Sequence, residues 1–478
     1  MPESRGLRRP PVLGPRLTAA AALAAVIAVA LAWAQESAIP SSAARERRDR
    51  LVGALRALLK PGERGVFLLA GEPGSDMNEF RQRADFLYLT GFEEPGAQMV
   101  LVFEAATLLE RLYLVPSTPD MARWSGETLA PGRRSPEGAG PDPVRVRAAE
   151  RTGFRGDGRT EGSGIGEIGD LAADLRAFLS GGAALFIPPP SAGPGGPPSP
   201  EERRAAEARA AGLDVRVVSA AGPLAALRLS KSSEEIALIR RAVAVTCEAH
   251  RAAMRTIAPG LREYEVEAAI EYVFTRSGAR WAAYPTIVGS GPNSCVLHYS
   301  RNDRTIGAGD LVIVDAGAEY RHYASDVTRT LPASGRFTPD QARIYRAVLH
   351  AQDEGAALVK PGVRPREICD RVAKILDQEG LGSGIQHTCS HFVGLEVHDA
   401  GGPDTVLAPG MVLSVEPGVY YPDRGIGVRI EDLFLVTEGG GEKLSSCIPS
   451  SPEGIEAEMA GRGEAPPLSP GASASPRR

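Results

Sequence analysis

The sequence predicts an α+β protein with two folded domains, the second of which consists of two similar halves. Three observations lead to this prediction. Apolar runs typical of strands alternate with helical patterns in the first part of the chain. A long helical pattern begins after residue 222, and a repeated segment follows it. With 478 residues, 43% of them hydrophobic, the chain can bury more than one core.

The first segment, residues 1–34, has the layout of a secretory signal peptide. Arginines precede the apolar run LTAAAALAAVIAVALAWA, which ends in the small-x-small triplet at 32–34. The run is also about long enough for an uncleaved membrane anchor. Both alternatives place the folded part outside the cytoplasm, as a periplasmic or secreted protein that is either free or membrane-anchored. A polar linker at 35–44 is expected to follow.

Residues 45–221 are expected to form a smaller α/β domain. A helix is predicted at 45–59 and another at 171–179, and strands are predicted at four apolar runs. These runs are 66–70, 99–103, 112–115 and 184–187. Stretches rich in Gly, Pro and Arg at 130–166 and 188–200 indicate surface insertions. The insertions leave open whether the protein is a monomer or a homo-oligomer.

The second domain is predicted at residues 222–450. Ser232 and Glu235 form the pattern of a capping box, which opens a long helix that ends at a Pro-Gly pair. The tail at 451–478 is rich in Pro, Ser, Gly and Ala, and this composition predicts disorder.

An internal repeat lies within the second domain. The segment IAPGLREYEVEAAIEYVFTRSG, from Ile257, aligns with VKPGVRPREICDRVAKILDQEG, from Val359. Gly260 matches Gly362, and apolar positions correspond along the helical pattern. The domain is therefore expected to have two similar α+β halves that face each other. A site in the groove between them could draw ligands from both.

Charge and cysteine content exclude some classes of function. A formal net charge of -5 and the absence of dense Lys/Arg runs argue against a nucleic-acid partner. The five cysteines are scattered without a C-x-x-C pair, so free thiols are expected rather than a disulfide framework or a zinc knuckle.

Candidate chemistry lies in acidic residues at unusual places. Asp315 and Asp326 in VDAGAEYRHYASDVTRT interrupt strand-like runs, where carboxylates are costly to desolvate. The second half supplies His391, Glu416 and Glu431. Each acid taken alone is better explained as a solvated strand end or a turn cap than as a metal ligand. Four carboxylates in one cleft, however, require cations, and two divalent ions would balance them. Oxygen-rich ligation with a single nitrogen favours a hard ion such as Mn²⁺.

The settings of these residues carry a resemblance to a known family. They read VDAGAEY, YASDVTRT, SHFVGLEVHD, SVEPGVYY and GVRIEDLFLV, and they resemble the pita-bread metallopeptidases, in particular the aminopeptidase P (Xaa-Pro aminopeptidase) family. The resemblance covers nearly all of 222–448. The stretch FRQRADFLYLTGFEEPGA at 80–97 is similar to the N-terminal domain of the same family. The resemblance as a whole implies a pita-bread (creatinase/aminopeptidase) fold with a pseudo-twofold repeat, preceded by an aminopeptidase P-like N-terminal domain.

The resemblance implies a role for each metal ligand. Asp315 would hold one ion through both oxygens, Asp326 and Glu431 would bridge two ions, and His391 with Glu416 would complete the other. A hydroxide between the ions would attack the carbonyl of the first residue of the peptide. Glu416 would also shuttle the proton.

Further residues are implied in catalysis and substrate binding. His398 corresponds to a family histidine that contacts the substrate, and His298 and His387 correspond to histidines lining a pocket for proline. Arg429 corresponds to an arginine beside a bridging carboxylate. Tyr284 could shape the pocket or belong to the core. The catalytic set implied is His298, His398, Glu416 and Arg429, and the substrate-binding set is His298, His387 and His398.

The function implied is that of a metal-dependent aminopeptidase acting on peptides with proline at the second position. A prolidase, which splits Xaa-Pro dipeptides, is the alternative among enzymes. A non-catalytic pita-bread binding protein, or a metal-free hydrolase such as creatinase, is an alternative of another class, although both tend to lack the ligands present here.

Overall fold

The computed structural model describes residues 39–74, 80–125, 128, 143–156, 164–189 and 196–461. The predicted signal peptide or membrane anchor lies outside these residues. None of the helices within the described ranges is both long and apolar enough to span a bilayer.

The N-terminal part contains a six-stranded sheet flanked by helices, as the α/β prediction requires. Its strands are β1 (Arg64–Ala70), β2 (Gln98–Phe103), β3 (Leu108–Leu114), β4 (Ile165–Glu167), β5 (Ala183–Ile187) and β6 (Val215–Ser219). Its helices are α1 (Ser41–Arg56), α2 (Ala84–Thr90), α3 (Pro119–Ser125), α4 (Pro143–Thr152), α5 (Leu171–Leu179) and α6 (Pro200–Ala210).

The strand order in this sheet is β4-β3-β2-β1-β5-β6. Parallel pairing joins β1 to β5, β5 to β6 and β3 to β4. Every residue of β5 is buried, which is the pattern of a parallel strand covered on both faces and explains its continuous apolar run AALFI.

Two predictions for the N-terminal part are corrected. Helix α1 begins at Ser41, so the predicted linker at 35–44 is too long, because Ala44 is buried in the core and Arg48 pairs with buried Glu110 at 3.0 Å. The expected insertion at 130–166 contains helix α4 and strand β4. A stretch rich in Gly and Pro therefore includes regular elements where tertiary contacts override local composition.

The C-terminal part contains six helices and eleven strands within the described residues. The helices are α7 (Ala221–Leu229), α8 (Ser233–Thr256), α9 (Glu263–Arg276), α10 (Pro339–Ala356), α11 (Pro365–Gln378) and α12 (Pro452–Ala460). The strands are β7 (Trp281–Ala282), β8 (Ile287–Ser290), β9 (Leu311–Asp315), β10 (Ala318–Tyr320), β11 (Tyr323–Ala324), β12 (Thr328–Pro332), β13 (Val412–Val415), β14 (Gly418–Tyr421), β15 (Ile426–Arg429), β16 (Asp432–Thr437) and β17 (Gly440–Lys443).

The internal repeat is visible in the backbone. Helices α9 and α11 each have 14 residues, and each follows a long helix, α8 or α10. Gly260 and Gly362 precede them with φ of 93° and 89°, a conformation that a side chain would strain. Their amides donate to equivalent carbonyls, of Ile306 and Leu407, at 2.9 Å in both halves. The two halves are therefore built from the same local structure.

The sheets of the two halves place acidic residues at matching strand ends. In the first half β9 lies between β8 and β12, and in the second half β16 lies between β13 and β17. Asp315 is the last residue of β9, and Glu416 directly follows β13. Asp326 precedes β12, and Glu431 directly precedes β16. A backbone bridge between Thr328 and Glu431 joins the halves at this point.

The predicted disordered tail at 451–478 is corrected at its start. Residues 452–460 form helix α12, capped by Ser451, whose Oγ accepts from the Gly454 amide at 3.1 Å. Ile455 and Met459, one helical turn apart, are fully buried, and Glu458 pairs with Arg255 at 2.8 Å. This short apolar stripe outweighs a composition that is otherwise typical of disorder. Residues 462–478 lie outside the described part of the chain.

The expectation of free cysteines is wrong for four of the five. Cys247 is bonded to Cys447 and Cys369 to Cys389, with Cα atoms 6.0 and 5.3 Å apart. These separations are normal for disulfides. The partners are 200 and 20 residues apart in sequence, so no local motif could have indicated the pairs. Cys295 is free and partly buried.

Candidate active site

The five predicted ligand residues line one cavity of about 740 Å³ in the C-terminal part. The strands explain why they meet, because β9, β12, β13 and β16 bring their ends together at this point. Asp315, Asp326 and Glu431 are at most 7% exposed. The cavity is lined by Tyr284, Pro285, Ile287, Leu297, His298, Ser300, Asp315, Asp326, His387, Thr388, His391, Val397, His398, Glu416, Arg429 and Glu431.

Hydrogen-bond donors hold the two aspartates of the first half. The Tyr284 hydroxyl lies 2.6 Å from Oδ1 of Asp315 and 2.5 Å from Oδ1 of Asp326. Arg429 donates from Nη2 to Oδ2 of Asp315 at 2.6 Å. Burial, together with the neighbouring carboxylates, raises the pKa of Tyr284 well above its usual value, so its hydroxyl stays protonated and remains a donor.

His391 faces three carboxylates at once. Its Nε2 lies 3.2 Å from Glu416, 3.4 Å from Asp326 and 3.8 Å from Glu431. Its Nδ1 lies 3.2 Å from the carbonyl oxygen of Phe392, which identifies Nδ1 as the donor in the neutral ring. The Nε2 lone pair then points at anionic oxygens. Burial opposes charging of the ring, but hydrogen bonds to Asp326 and Glu416 raise the pKa of His391, so this nitrogen demands a cation or a proton.

Glu431 carries the clearest sign of a missing positive charge. Its Oε2 accepts from Thr328 Oγ1 at 2.7 Å, whereas its buried Oε1 has no hydrogen-bond partner. Burial, followed by repulsion from Asp326 and Glu416, raises the pKa of Glu431 well above its usual range. Burial likewise raises the pKa of Asp326. An orphaned buried acceptor is rare in native proteins, and a coordinated cation satisfies it.

The donor set fits divalent metal ions. Ligand atoms of Asp326, His391 and Glu431 lie within 4.8 Å of one another, and Asp315 and Glu416 border the same space. Burial disfavours the ionised form of Glu416, but its hydrogen bond with His391 keeps the pKa below the usual value. Four carboxylates and one imidazole suit hard or borderline divalent ions. The structure thus brings all five predicted ligands together, while their individual bonding modes stay predictions.

The predicted substrate histidines also line the cavity. His387 contacts the Tyr420 hydroxyl through Nε2 at 2.9 Å and the Thr388 carbonyl through Nδ1 at 2.7 Å. The ring of His398 packs edge-on against His391, with centroids 4.5 Å apart. Burial lowers the pKa of both His387 and His398. His298 lines the same cavity, and the assigned catalytic and proline-binding roles stay predictions.

Two residues of the site were left unassigned by the sequence. Tyr420 accepts from Arg429 Nη1 at 2.8 Å and thereby links this arginine to His387. Its position on the strand after Glu416, in EPGVYY, was the only signal available. Tyr284, for which a pocket and a core role were both open, faces the cavity and bonds two ligands. Arg429 was predicted beside a bridging carboxylate, but its guanidinium contacts Asp315, which was predicted to hold one ion only.

Comparison with known proteins agrees with this geometry. Residues 237–438 match the model of metallopeptidase family M24, and residues 44–134 match that of the aminopeptidase P N-terminal domain. The Xaa-Pro aminopeptidase of Escherichia coli is 34% identical over 460 residues, which cover 88% of this chain and 98% of that protein. The Xaa-Pro dipeptidase of Pyrococcus furiosus is 41% identical over 223 residues, or 46% of this chain and 64% of that protein.

Solved structures extend the similarity to three dimensions. A zinc-substituted E. coli aminopeptidase P in complex with product has a TM-score of 0.76 at 31% identity, covering 88% of this chain and 98% of that one. The proline aminopeptidase P II of Yersinia pestis gives a TM-score of 0.74 at 31% identity, with 87% and 99% covered. Similarity to the aminopeptidases spans both parts of the chain. The chain therefore belongs to metallopeptidase family M24, within its aminopeptidase P group.

Proposed function

We propose that this protein is a metal-dependent exopeptidase that removes the N-terminal residue from peptides with proline at the second position. One observation carries the proposal. The buried Oε1 of Glu431 has no hydrogen-bond partner, and it faces His391 and Asp326 in a cavity that also contains His298, His387 and His398. Such a site needs cations and offers imidazole side chains beside them.

The residues of the chain prepare the reaction. When bound, two divalent ions lower the pKa of a shared water molecule and so supply the nucleophile at neutral pH. Tyr284 and Arg429 hold Asp315 in place, and Ser414 Oγ donates to Oε1 of Glu416 at 3.1 Å. The Glu416 carboxylate lines the cavity, so in its ionised form it can accept a proton and pass it to the leaving nitrogen.

The histidines fit recognition of the substrate. Since burial lowers the pKa of His398, its imidazole is neutral near pH 7 and can donate one hydrogen bond to the scissile region. His298, His387 and the apolar side chains of Leu297 and Val397 provide a wall for a pyrrolidine ring. The prolyl nitrogen has no N–H, so a site for this bond must recognise ring shape rather than that donor.

The bound ions are divalent, and we infer that Mn²⁺ is the native one. The support is the oxygen-rich donor set with a single imidazole and no thiolate. Loading the metal-free protein with equal amounts of Mn²⁺ and Zn²⁺ tests this inference. Higher activity with Mn²⁺ and about two ions per chain are expected. Full activity with Zn²⁺ alone contradicts it.

Specificity for longer peptides separates this enzyme from a prolidase. The dipeptidase similarity covers only part of the chain, whereas the aminopeptidase similarity includes the N-terminal part. Incubation with Mn²⁺ and an Arg-Pro-Pro peptide should release free arginine. No release from this peptide, together with rapid cleavage of Ala-Pro, identifies a prolidase.

We also propose that the protein is exported, as the sequence of residues 1–34 predicts. Its two disulfides support an oxidising compartment, because disulfides are rare in reducing cytosol. Attachment to a membrane then depends on whether the N-terminal segment is cleaved. N-terminal sequencing of the protein from its native host decides this point, since a start near residue 35 shows cleavage of a signal peptide.

A further inference from the structure

A buried charge cluster lies behind the segment that carries His398. The Asp399 side chain is 2% exposed, and Lys231 Nζ lies 3.0 Å from its Oδ2. The guanidinium of Arg228, itself 8% exposed, contacts Oδ1 of the same carboxylate. Arg228 also reaches Glu396 at 2.6 Å, but that side chain is 54% exposed. Two cations, Arg228 on α7 and Lys231 in the link between α7 and α8, thus converge on one anion of the loop.

The backbone closes this loop into a compact segment, residues 392–399. The Asp399 amide donates to the Phe392 carbonyl at 2.9 Å, and the Gly394 amide donates to the Glu396 carbonyl at 3.0 Å. The Ala324 amide, two residues before the ligand Asp326, donates to the Gly394 carbonyl at 2.8 Å. Val397 and His398, at the far end of the segment, line the cavity.

Gly394 shows how tightly the carboxylate is seated. A Cβ at this position would lie 2.0 Å from Oδ2 of Asp399 and 2.9 Å from Cε of Lys231. Neither neighbour can move away, because each is held by the other in a buried pair. Only glycine therefore allows the segment to close over the charge cluster.

The free-energy balance of this charge cluster indicates that it fixes the geometry of the loop more than it stabilises the fold. Burying three charges costs desolvation energy that their mutual attraction only partly returns, so such clusters are weak contributors to the free energy of folding. What they provide is one defined arrangement, because any other leaves a charge unpaired. A loop that must present an imidazole to a reacting carbonyl benefits from that restriction, since a displacement of about 1 Å can cost about 100-fold in rate.

We propose that Asp399, clamped by Arg228 and Lys231, is a positioning residue that holds the imidazole of His398 toward the cavity. Asp399 does not line the cavity and acts through its neighbour. This inference rests on the proposed peptidase function, in which His398 contacts the substrate.

A double-mutant cycle tests the proposal. The variants are Asp399→Asn, His398→Ala and the double variant, each assayed with Mn²⁺ and an Arg-Pro-Pro peptide, with metal content and thermal unfolding recorded. We expect Asp399→Asn to reduce kcat by about tenfold or more with KM little changed and with metal content retained. In the His398→Ala background the same change should have an effect of less than about twofold, because the positioned group is absent.

A matched control lies in the same ion pair. Glu396→Gln removes the exposed partner of Arg228 and should change kcat by less than about twofold. Lys231→Met removes one of the two charges paired with Asp399 at similar side-chain volume and should lower kcat less than Asp399→Asn does. This loss should appear only when His398 is present. Lys231→Arg, which keeps the charge, should have a kcat near that of the wild type. If Asp399→Asn does not fold, the Lys231→Met cycle decides the question.

Two results overturn the proposal. Losses that multiply between Asp399→Asn and His398→Ala show that Asp399 does not act through this histidine, as does loss of metal in Asp399→Asn. A wild-type protein that binds metal and cleaves no Xaa-Pro peptide refutes the proposed function instead, which separates the two failures.

Discussion

In the first half of the C-terminal repeat, β8 pairs with β9 along Ile287–Ser290 and carries no ligand. In the second half the matching edge segment carries His391, whose carbonyl accepts from the Ser414 amide at 2.8 Å. Both halves place one carboxylate at the end of a strand, β9 or β13, and another shortly before a later strand, β12 or β16. The repeat therefore supplies a symmetric frame of four acids, and the second half adds the nitrogen ligand.

The two halves also differ in how their acids are satisfied. The first half's Asp315 forms an ion pair with Arg429, and its other oxygen lies 2.6 Å from the Tyr284 hydroxyl. In the second half Glu431 keeps one buried oxygen without a partner. A cation is therefore required by Glu431 in the second half and also by Asp326 in the first half, because burial raises the pKa of Asp326 as well. A duplicated backbone can thus retain its ligand positions while the hydrogen bonds around them differ.

The largest effect is expected from removing a carboxylate of the shared frame. Asp326→Ala should lose bound metal and reduce activity by more than about 100-fold, since changes to residues that only support ligands already cost about 10–100-fold. The fold should be retained, as measured by circular dichroism, because a buried charge is removed along with its repulsion. Asp404→Asn, an exposed acid paired with Arg366, is the control and should behave as wild type. Wild-type turnover in Asp326→Ala contradicts the predicted bridging role.

The next effect concerns a disulfide present only in the second half. Cys369–Cys389 ties helix α11 to the segment that carries His387 and His391. Its replacement by Cys369→Ser and Cys389→Ser should lower the free energy of unfolding by about 3 kcal/mol, because the closed loop of 20 residues restricts the unfolded chain. Urea unfolding measures this. Cys295→Ser should change the same quantity by less than about 1 kcal/mol. An equal free energy of unfolding in the double variant and the wild type would show that this disulfide does not stabilise the fold.

A third prediction uses an equivalent pair of residues behind the site. His250 on α8 and Gln352 on α10 are both buried. His250 Nε2 lies 3.0 Å from the Val327 carbonyl, and Gln352 donates to the carbonyls of Val415 and Ile430 at 3.0 and 3.2 Å. The first half thus has a titratable group where the second half has a neutral amide.

Burial lowers the pKa of His250 to about 4, below the value of about 6.5 in an unfolded chain. The unfolded state therefore binds more protons between these values, so the stability present above pH 6.5 is lost as pH falls toward 4. The loss is on the order of 3 kcal/mol at most. His250→Gln should flatten this slope in urea unfolding measured from pH 7 to 4.5. The exposed His350→Gln should retain it. If the free energy of unfolding falls as steeply with pH in His250→Gln as in the wild type, other titrating groups cause the loss of stability.

The smallest effect is expected at a ligand's supporting hydrogen bond. Thr328→Val removes the hydroxyl that donates to Glu431 Oε2 but keeps the side-chain shape. Metal affinity should fall by about tenfold, as measured by titration calorimetry with Mn²⁺. Thr437→Val, at the far end of β16, is the matched control and should leave affinity unchanged. An unaltered affinity in Thr328→Val shows that Glu431 does not depend on this donor.

The comparison of the halves also shows which features the sequence could predict. The four carboxylates were candidates because a carboxylate beside a buried strand is costly and because two of them lie in each half. The resemblance to the aminopeptidase P family then identified them, together with His391, as the five ligands. The pairing of Cys247 with Cys447, 200 residues apart, depends on tertiary structure and leaves no local pattern. The same is true of the contact of Asp399 with Arg228 and Lys231. Helix α12 was missed because two buried residues, Ile455 and Met459, decide its packing within a biased composition.

The backbone bridge between Thr328 and Glu431 has a consequence for how the chain holds together. Of the predicted ligands, Asp315 and Asp326 lie before the turn at 334–336, and the other three lie after it. Bound metal would therefore act as a non-covalent crosslink between these two stretches of sequence. The Cys247–Cys447 disulfide also joins these two stretches, so it must be reduced before the test. A protease cut in that exposed turn of the reduced protein should then leave two fragments that stay associated up to a higher urea concentration when Mn²⁺ is present. Adding a chelator should lower that concentration, and restoring the ion should raise it again.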